Sequence, residues 1–178
     1  MTQSIHLSPD ELSRLVVEAA VNADEQGYWS GPGTAAENAV AHLTRFLGVL
    51  AGGDDDLNEH ELELFGEVFR AATGEHPSDD VLRRSIAESV QLADDPDALH
   101  DFLTATPAYL ESVLAMDRER GTQNTRQVVT ALSGIALAML AADGRAEPEE
   151  DSVFTTHLGH LRARMEALGG DPGGLTSS

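Results

Sequence analysis

The chain has 178 residues, enough for one domain with a full core. Its 31 acidic residues stand against 11 basic ones, all arginine, and the net charge of −20 repels nucleic acid and anionic membrane while attracting cations and basic partners; solubility alone also accounts for it. The absence of cysteine excludes disulfides, thiolate catalysis and Cys-ligated zinc or iron–sulfur sites.

Hydrophobic residues make up 41% of the chain but aromatic ones only 4%, so the core must be built mainly from Leu, Val, Ala and Ile, a composition that favours closely packed helices. The longest uncharged apolar run, 128–142, is shorter than the roughly 20 residues of a membrane span and contains Thr130, Ser133 and Gly134. The opening MTQSIHLSPDE has neither the basic region nor the apolar run of a secretory signal. These features predict a cytoplasmic protein without a membrane span.

In chain order, Ser8-Pro9-Asp10-Glu11 is a helix start, with Ser8 as cap, Pro9 at the first position and Glu11 closing a capping box. The helix is predicted to reach about Gln26, with Leu12, Leu15, Val16, Ala19 and Ala20 on one face. The loop Gly27-Tyr28-Trp29-Ser30-Gly31-Pro32-Gly33 holds the single Trp; it either folds back to plug the end of a bundle or binds a partner. Thr34 and Glu37 form a second capping box, followed at helical spacing by Ala39, Val40, Leu43, Phe46, Leu47 and Leu50, and Gly52-Gly53 stops that helix. Asn58 caps the next, with Leu62, Phe65, Val68, Phe69 and Ala72 inward and Gly74 as its stop. Ser78 caps a helix to about Ala93 with Val81, Leu82, Ile86 and Val90 inward. Asp95-Pro96 and Thr106-Pro107 open helices over 96–103 and 107–118. After a charged break at 118–123 comes the most apolar helix, to Ala142, predicted to lie at the centre and to be the most buried. Pro148 starts a last helix to about Leu168, and the Gly/Ser-rich segment 169–178 is predicted to be a disordered tail. No stretch alternates like a strand, so the predicted fold is an all-α bundle of seven to eight helices in one domain over 1–168.

Two stretches share one pattern. Placing Asp54 on Asp143 also places Glu61 on Glu150, Phe65 on Phe154, Leu43 on Leu132, Phe46 on Ile135, Leu50 on Met139 and Leu64 on Val153. A single offset aligns the apolar frame and the acidic pair, which predicts two copies of a helix–acidic turn–helix unit, about 35–73 and 124–164. In one reading the acidic residues are helix caps. In the other, Asp54, Asp56, Glu61, Asp143 and Glu150 hold a hard divalent cation, Ca²⁺, Mg²⁺ or Mn²⁺. An EF-hand is excluded, because Glu59 occupies the position that needs Gly and Phe65 and Phe154 occupy those that need a bidentate Glu.

The run Ala142-Asp143-Gly144-x-Ala146-x-x-x-Glu150 after an apolar helix resembles the tellurite-resistance TerB-like family. The resemblance spans most of 35–164, and its distinctive part is about nine residues in each copy. The first copy departs from it, with Asp55 where the second has Gly144. The resemblance implies an all-helical, internally duplicated, non-enzymatic cytosolic module. It also implies acidic turn residues at Asp54, Glu61, Asp143 and Glu150, an association with metal-oxyanion or phage stress, metal binding and assembly near membranes.

His157 and His160 lie one helical turn apart and share a face with Glu150 in a conceivable zinc or manganese site; the alternative is two surface histidines on an amphipathic helix. Paired Glu-x-x-His, His-Glu-x-x-His, Gly-x-Ser-x-Gly and Walker-type motifs are all absent. The sequence therefore points to a helical module binding a divalent cation, a protein partner with a basic face, or both. The rival readings are a purely structural or interaction domain and a carboxylate-bridged metallohydrolase; self-association into a homo-oligomer is compatible with each.

Overall fold

The computed structural model describes residues 7–51, 59–142 and 148–168. Among them are eight α-helices and no strand: α1 (Pro9–Glu25), α2 (Ala35–Ala51), α3 (Glu59–Thr73), α4 (Asp79–Ala93), α5 (Pro96–Leu103), α6 (Ala108–Arg120), α7 (Asn124–Ala142) and α8 (Pro148–Ala167). None of these helices is long and apolar enough to cross a membrane. The Gly52-Gly53 stop, the Asn58 cap and the tail 169–178 lie outside the described residues.

Local sequence dictates most helix starts. Glu11 Oε2 accepts from the Ser8 N–H at 2.8 Å. Glu37 accepts from the Thr34 N–H at 2.8 Å while Thr34 Oγ1 accepts from the Glu37 N–H at 3.1 Å, a complete capping box. Ser78 caps α4 and Asp95 caps α5, the latter accepting from two backbone N–H groups at 3.1 Å. At α6 the expected start shifts by one residue: Pro107 is the N-cap, and the Thr106 hydroxyl is hydrogen-bonded to His160 Nε2 at 3.1 Å instead.

Three helices are also capped from another helix. Asp24, at the end of α1, accepts from the Ala35 N–H of α2 at 3.1 Å. Asn38 of α2 accepts from the Tyr109 N–H of α6 at 3.1 Å. Asp117, near the end of α6, takes the start of α7. Its Oδ2 accepts from the Thr125 N–H and hydroxyl, both at 2.7 Å, and its Oδ1 from the Asn124 N–H at 3.0 Å and the Thr122 hydroxyl at 2.6 Å. Gly121, with φ of 68°, makes the left-handed turn that brings α7 back onto this carboxylate.

The helix at the centre is α2 rather than α7. It packs on α1, α3, α4, α6, α7 and α8, and every residue from Phe46 to Ala51 is buried. In α7, Val128, Leu132, Ile135, Ala136 and Met139 are buried as their spacing predicts, but Leu137 is 55% exposed because no described helix covers that side. Low polarity around a helix does not by itself supply neighbours on every side. Val81, expected to face inward, is likewise exposed: the face of α4 that meets the core runs through Leu82, Ile86, Ser89 and Val90. The Tyr28–Trp29 loop folds back. Trp29 packs on the main core and donates from Nε1 to the Gly33 carbonyl at 3.0 Å, while Tyr28 rests on a satellite cluster of Ala23, Val113 and Met116.

The α2–α4 contact depends on a missing side chain. A Cβ built at Gly48 would overlap the Cβ and Oγ of Ser89. At Gly134, where α1 crosses α7, it would come within 2.7 Å of Leu12 Cδ1, the movable end of a flexible side chain. Gly48→Ala is therefore expected to destabilise the fold by roughly 1–3 kcal/mol despite a gain of up to about 1 kcal/mol in helix propensity, and Gly134→Ala by less. Urea unfolding of both single variants and of Gly48→Ala with Ser89→Gly checks this. If Ser89→Gly brings no recovery, the crossing is not set by that contact.

Candidate functional site

Of the five candidate cation ligands, Asp54, Asp56 and Asp143 lie outside the described residues. Glu150 belongs to the first turn of α8, and its side chain is also outside what is described. Glu61 is the candidate that can be placed. It sits in the first turn of α3, is only 5% exposed and takes part in an interaction within the protein. Spacing explains this burial, because Glu61 leads the row continued by Leu64, Phe65 and Val68, the inward side of α3. Among the described residues, no three His, Asp or Glu side chains gather into a metal-binding group.

The described polar cluster that stands out was not predicted from sequence. His42 of α2 and His157 of α8 are buried and face each other, Nε2 to Nε2, at 2.8 Å. The hydroxyl of the fully buried Tyr109 of α6 is 3.3 Å from His42 Nδ1, and His157 Nδ1 is 3.0 Å from the Leu103 carbonyl that ends α5. Phe46 and Phe102 enclose the pair, with Phe102 stacked on His157 at a ring separation of 5.6 Å and Phe46 tilted against it at 4.9 Å.

Burial pushes the His42 pKa well below its ordinary value, and the neighbouring His157 and Arg45 push in the same direction. Burial also lowers His157; the Leu103 carbonyl opposes this and His160 reinforces it. Burial raises the Tyr109 phenol. Both rings are therefore neutral near pH 7.

The expected pair of surface histidines is corrected here. His157 is part of the core, because each of its ring nitrogens finds a buried partner. His160 turns to Thr106, so the two do not converge on a shared metal. The signal for the buried pair lay in the register: His42 falls within the apolar row of Ala39, Leu43, Phe46 and Leu50, and His157 within that of Leu158, Leu161 and Met165.

No family model, no curated protein and no solved structure matches the chain.

Proposed function

We propose that the chain is a non-enzymatic, internally duplicated helical module of TerB-like type. In this reading its acidic turns take a divalent cation, Ca²⁺, Mg²⁺ or Mn²⁺, and with it a protein partner of basic character, in the cytoplasm. The observation that carries the reading is the single offset that sets Asp54 on Asp143 and Glu61 on Glu150, with Glu61 in the first turn of α3. Carboxylates gathered on a short acidic turn suit a hard cation, which would bridge Asp54, Asp56 and Glu61 in addition to the interaction Glu61 already makes.

The duplication is supported by spacing and by packing. The starts of α2 and α7 are separated by the same number of residues as the starts of α3 and α8. Exchanging α1, α2 and α3 for α6, α7 and α8 turns the α1–α7 contact into α2–α6 and the α2–α8 contact into α3–α7, and all four are made, whereas the close α1–α3 packing has no comparable α6–α8 counterpart among the described residues. An aspartate near the C-terminal end of α1 and of α6, Asp24 or Asp117, accepts from the start of the following helix, although the two are not set at the offset of the helix starts. Extended this way, the repeat covers three helices, and Glu150 is the counterpart of Glu61.

The second reading, in which the acidic turns are only caps, is favoured by Glu37, a ligand-free capping glutamate in the same chain. Thermal unfolding separates the two. Bound cation at one hundred times its Kd stabilises by about 2.7 kcal/mol, a rise of roughly 5–10 °C for a chain of this size. Asp54→Asn with Asp143→Asn should abolish that rise while retaining some capping capacity. A melting temperature that stays flat with millimolar Ca²⁺, Mg²⁺ and Mn²⁺ against chelator would leave a capped scaffold.

A further inference from the structure

The histidine pair joins four elements, α2, α6, α8 and the end of α5, and it plays no part in the acidic-turn reading. Its hydrogen-bond directions follow from one end. The Leu103 carbonyl only accepts, so the proton of neutral His157 sits on Nδ1 and its Nε2 is an acceptor. His42 must then donate from Nε2, which leaves its Nδ1 to accept from the Tyr109 hydroxyl. This arrangement satisfies both neutral rings.

Added protons undo it in two steps. The first makes His157 an imidazolium, favoured there because its Nδ1–H points at a helix C-terminus. His157 Nε2 then donates to His42 Nε2, whose own proton moves to Nδ1, and the Tyr109 hydroxyl must turn from donor to acceptor. The second proton sets two N–H groups head to head at a spacing of 2.8 Å, which only separation relieves.

The surroundings offer little compensation. Arg45 of α2 opposes charge on His42, and His160 of α8 opposes it on His157. From α5 come the Phe102 ring and the Leu103 carbonyl, and from α6 the Tyr109 hydroxyl. Glu111 of α6 is held by Arg164 of α8 at 2.9 Å. A pocket of about 160 Å³ between Asn38, Arg45, Phe102 and Ala105 reaches His42 and supplies a path for protons.

The geometry points to an acid-operated latch: near neutral pH the His42–His157 bond ties α8 and the end of α5 to α2 and α6, and protons entering beside Arg45 release it. The opened state exposes ordinary imidazoles, which bind protons near pH 6.5, whereas both closed-state values lie lower. Opening therefore takes up protons. The latch holds fully above about pH 6.5 and weakens as pH falls toward the closed-state values.

Hydrogen exchange of the full chain, corrected for intrinsic rates, tests this. Amides of α5 and α8 should lose protection relative to α1 by about tenfold per pH unit for each proton taken up below pH 6.5. Equal loss in all helices, or none, would overturn the latch. At pH 7.5, imidazole ¹⁵N shifts should place the proton on Nε2 of His42 and Nδ1 of His157, and the opposite tautomer on either ring would also overturn it. In His157→Gln the amide can still donate to Leu103 and accept from His42, and the slope should fall by one proton; an unchanged slope counts against the proposal. The two wild-type measurements decide the matter even if that variant does not fold.

Discussion

Ile135→Asp is expected to leave no cooperatively folded protein at neutral pH. Ile135 is fully buried on α7, within one apolar cluster that also holds Leu43, Phe46, Leu50 and Leu132. Removing its side chain forfeits roughly 2–3 kcal/mol of apolar burial. The aspartate must then either stay ionised without a partner or hold a proton at neutral pH, which costs about 1.4 kcal/mol for each pH unit above its ordinary pKa. The sum is comparable with the roughly 5–15 kcal/mol that holds a whole domain together. Leu137→Asp, two residues along the same helix, is the control: Leu137 is 55% exposed, and the change should stay within about 0.5 kcal/mol. Circular dichroism during urea unfolding distinguishes the two. A sharp transition in the Ile135 variant would remove α7 from the core.

Asp117→Ala should cost roughly 3–5 kcal/mol, seen as a melting temperature about 10 °C lower. Burial alone would raise the pKa of this carboxyl, but hydrogen bonds from Thr122, Thr125 and Asn124 outweigh it and hold the pKa below the usual carboxylate value. The alanine variant leaves the first N–H groups of α7 without the acceptor that Asp117, itself only 9% exposed, provides. Asp117→Asn keeps one acceptor but turns an NH₂ toward a donor, so it should recover only part of the loss. Because the folded pKa is lowered, this stabilisation is present above about pH 3.9 and fades as pH falls below it, well separated from the histidine window that begins near pH 6.5. If both variants unfold within about 0.5 kcal/mol of wild type, the carboxylate does not hold α7 in place.

What the sequence made legible was mostly local. Glu11, Glu37, Ser78 and Asp95 each act on backbone two or three residues away, so their roles could be read from neighbouring letters. The same holds for the inward rows of α2 and α7, which follow from helical spacing. The Tyr28–Trp29 loop folded back as a plug, one of the two readings its composition allowed. Pairings that depend on assembly were not legible. His42 meets His157 across 115 positions, and Asn38 reaches Tyr109 across 71. Composition also misled in α7: lack of charge showed that it could be buried all round, but only the placement of the other helices decided that Leu137 would not be. Of the acidic candidates, Glu61 qualifies as a ligand by its place in the turn, while its burial follows from sharing a side of α3 with Phe65.

The caps supplied by Asp24, Asn38 and Asp117 bear on how the chain folds. A capping box is present in an isolated peptide and biases it toward helix before anything else has formed. A cap that arrives from another helix gives no such bias. The first turn of α6 lacks its Asn38 acceptor until α2 has docked, and the first turn of α7 lacks its carboxylate until α6 has formed and the chain has turned back at Gly121. Nucleation of these helices is therefore deferred to the moment of collapse, when the cost of closing the intervening loop is met together with that of starting the helix. A nascent chain emerging from its N-terminus carries both halves of the Ser8–Glu11 and Thr34–Glu37 pairs from the outset, whereas α6 and α7 gain their ends only as parts of an assembled whole.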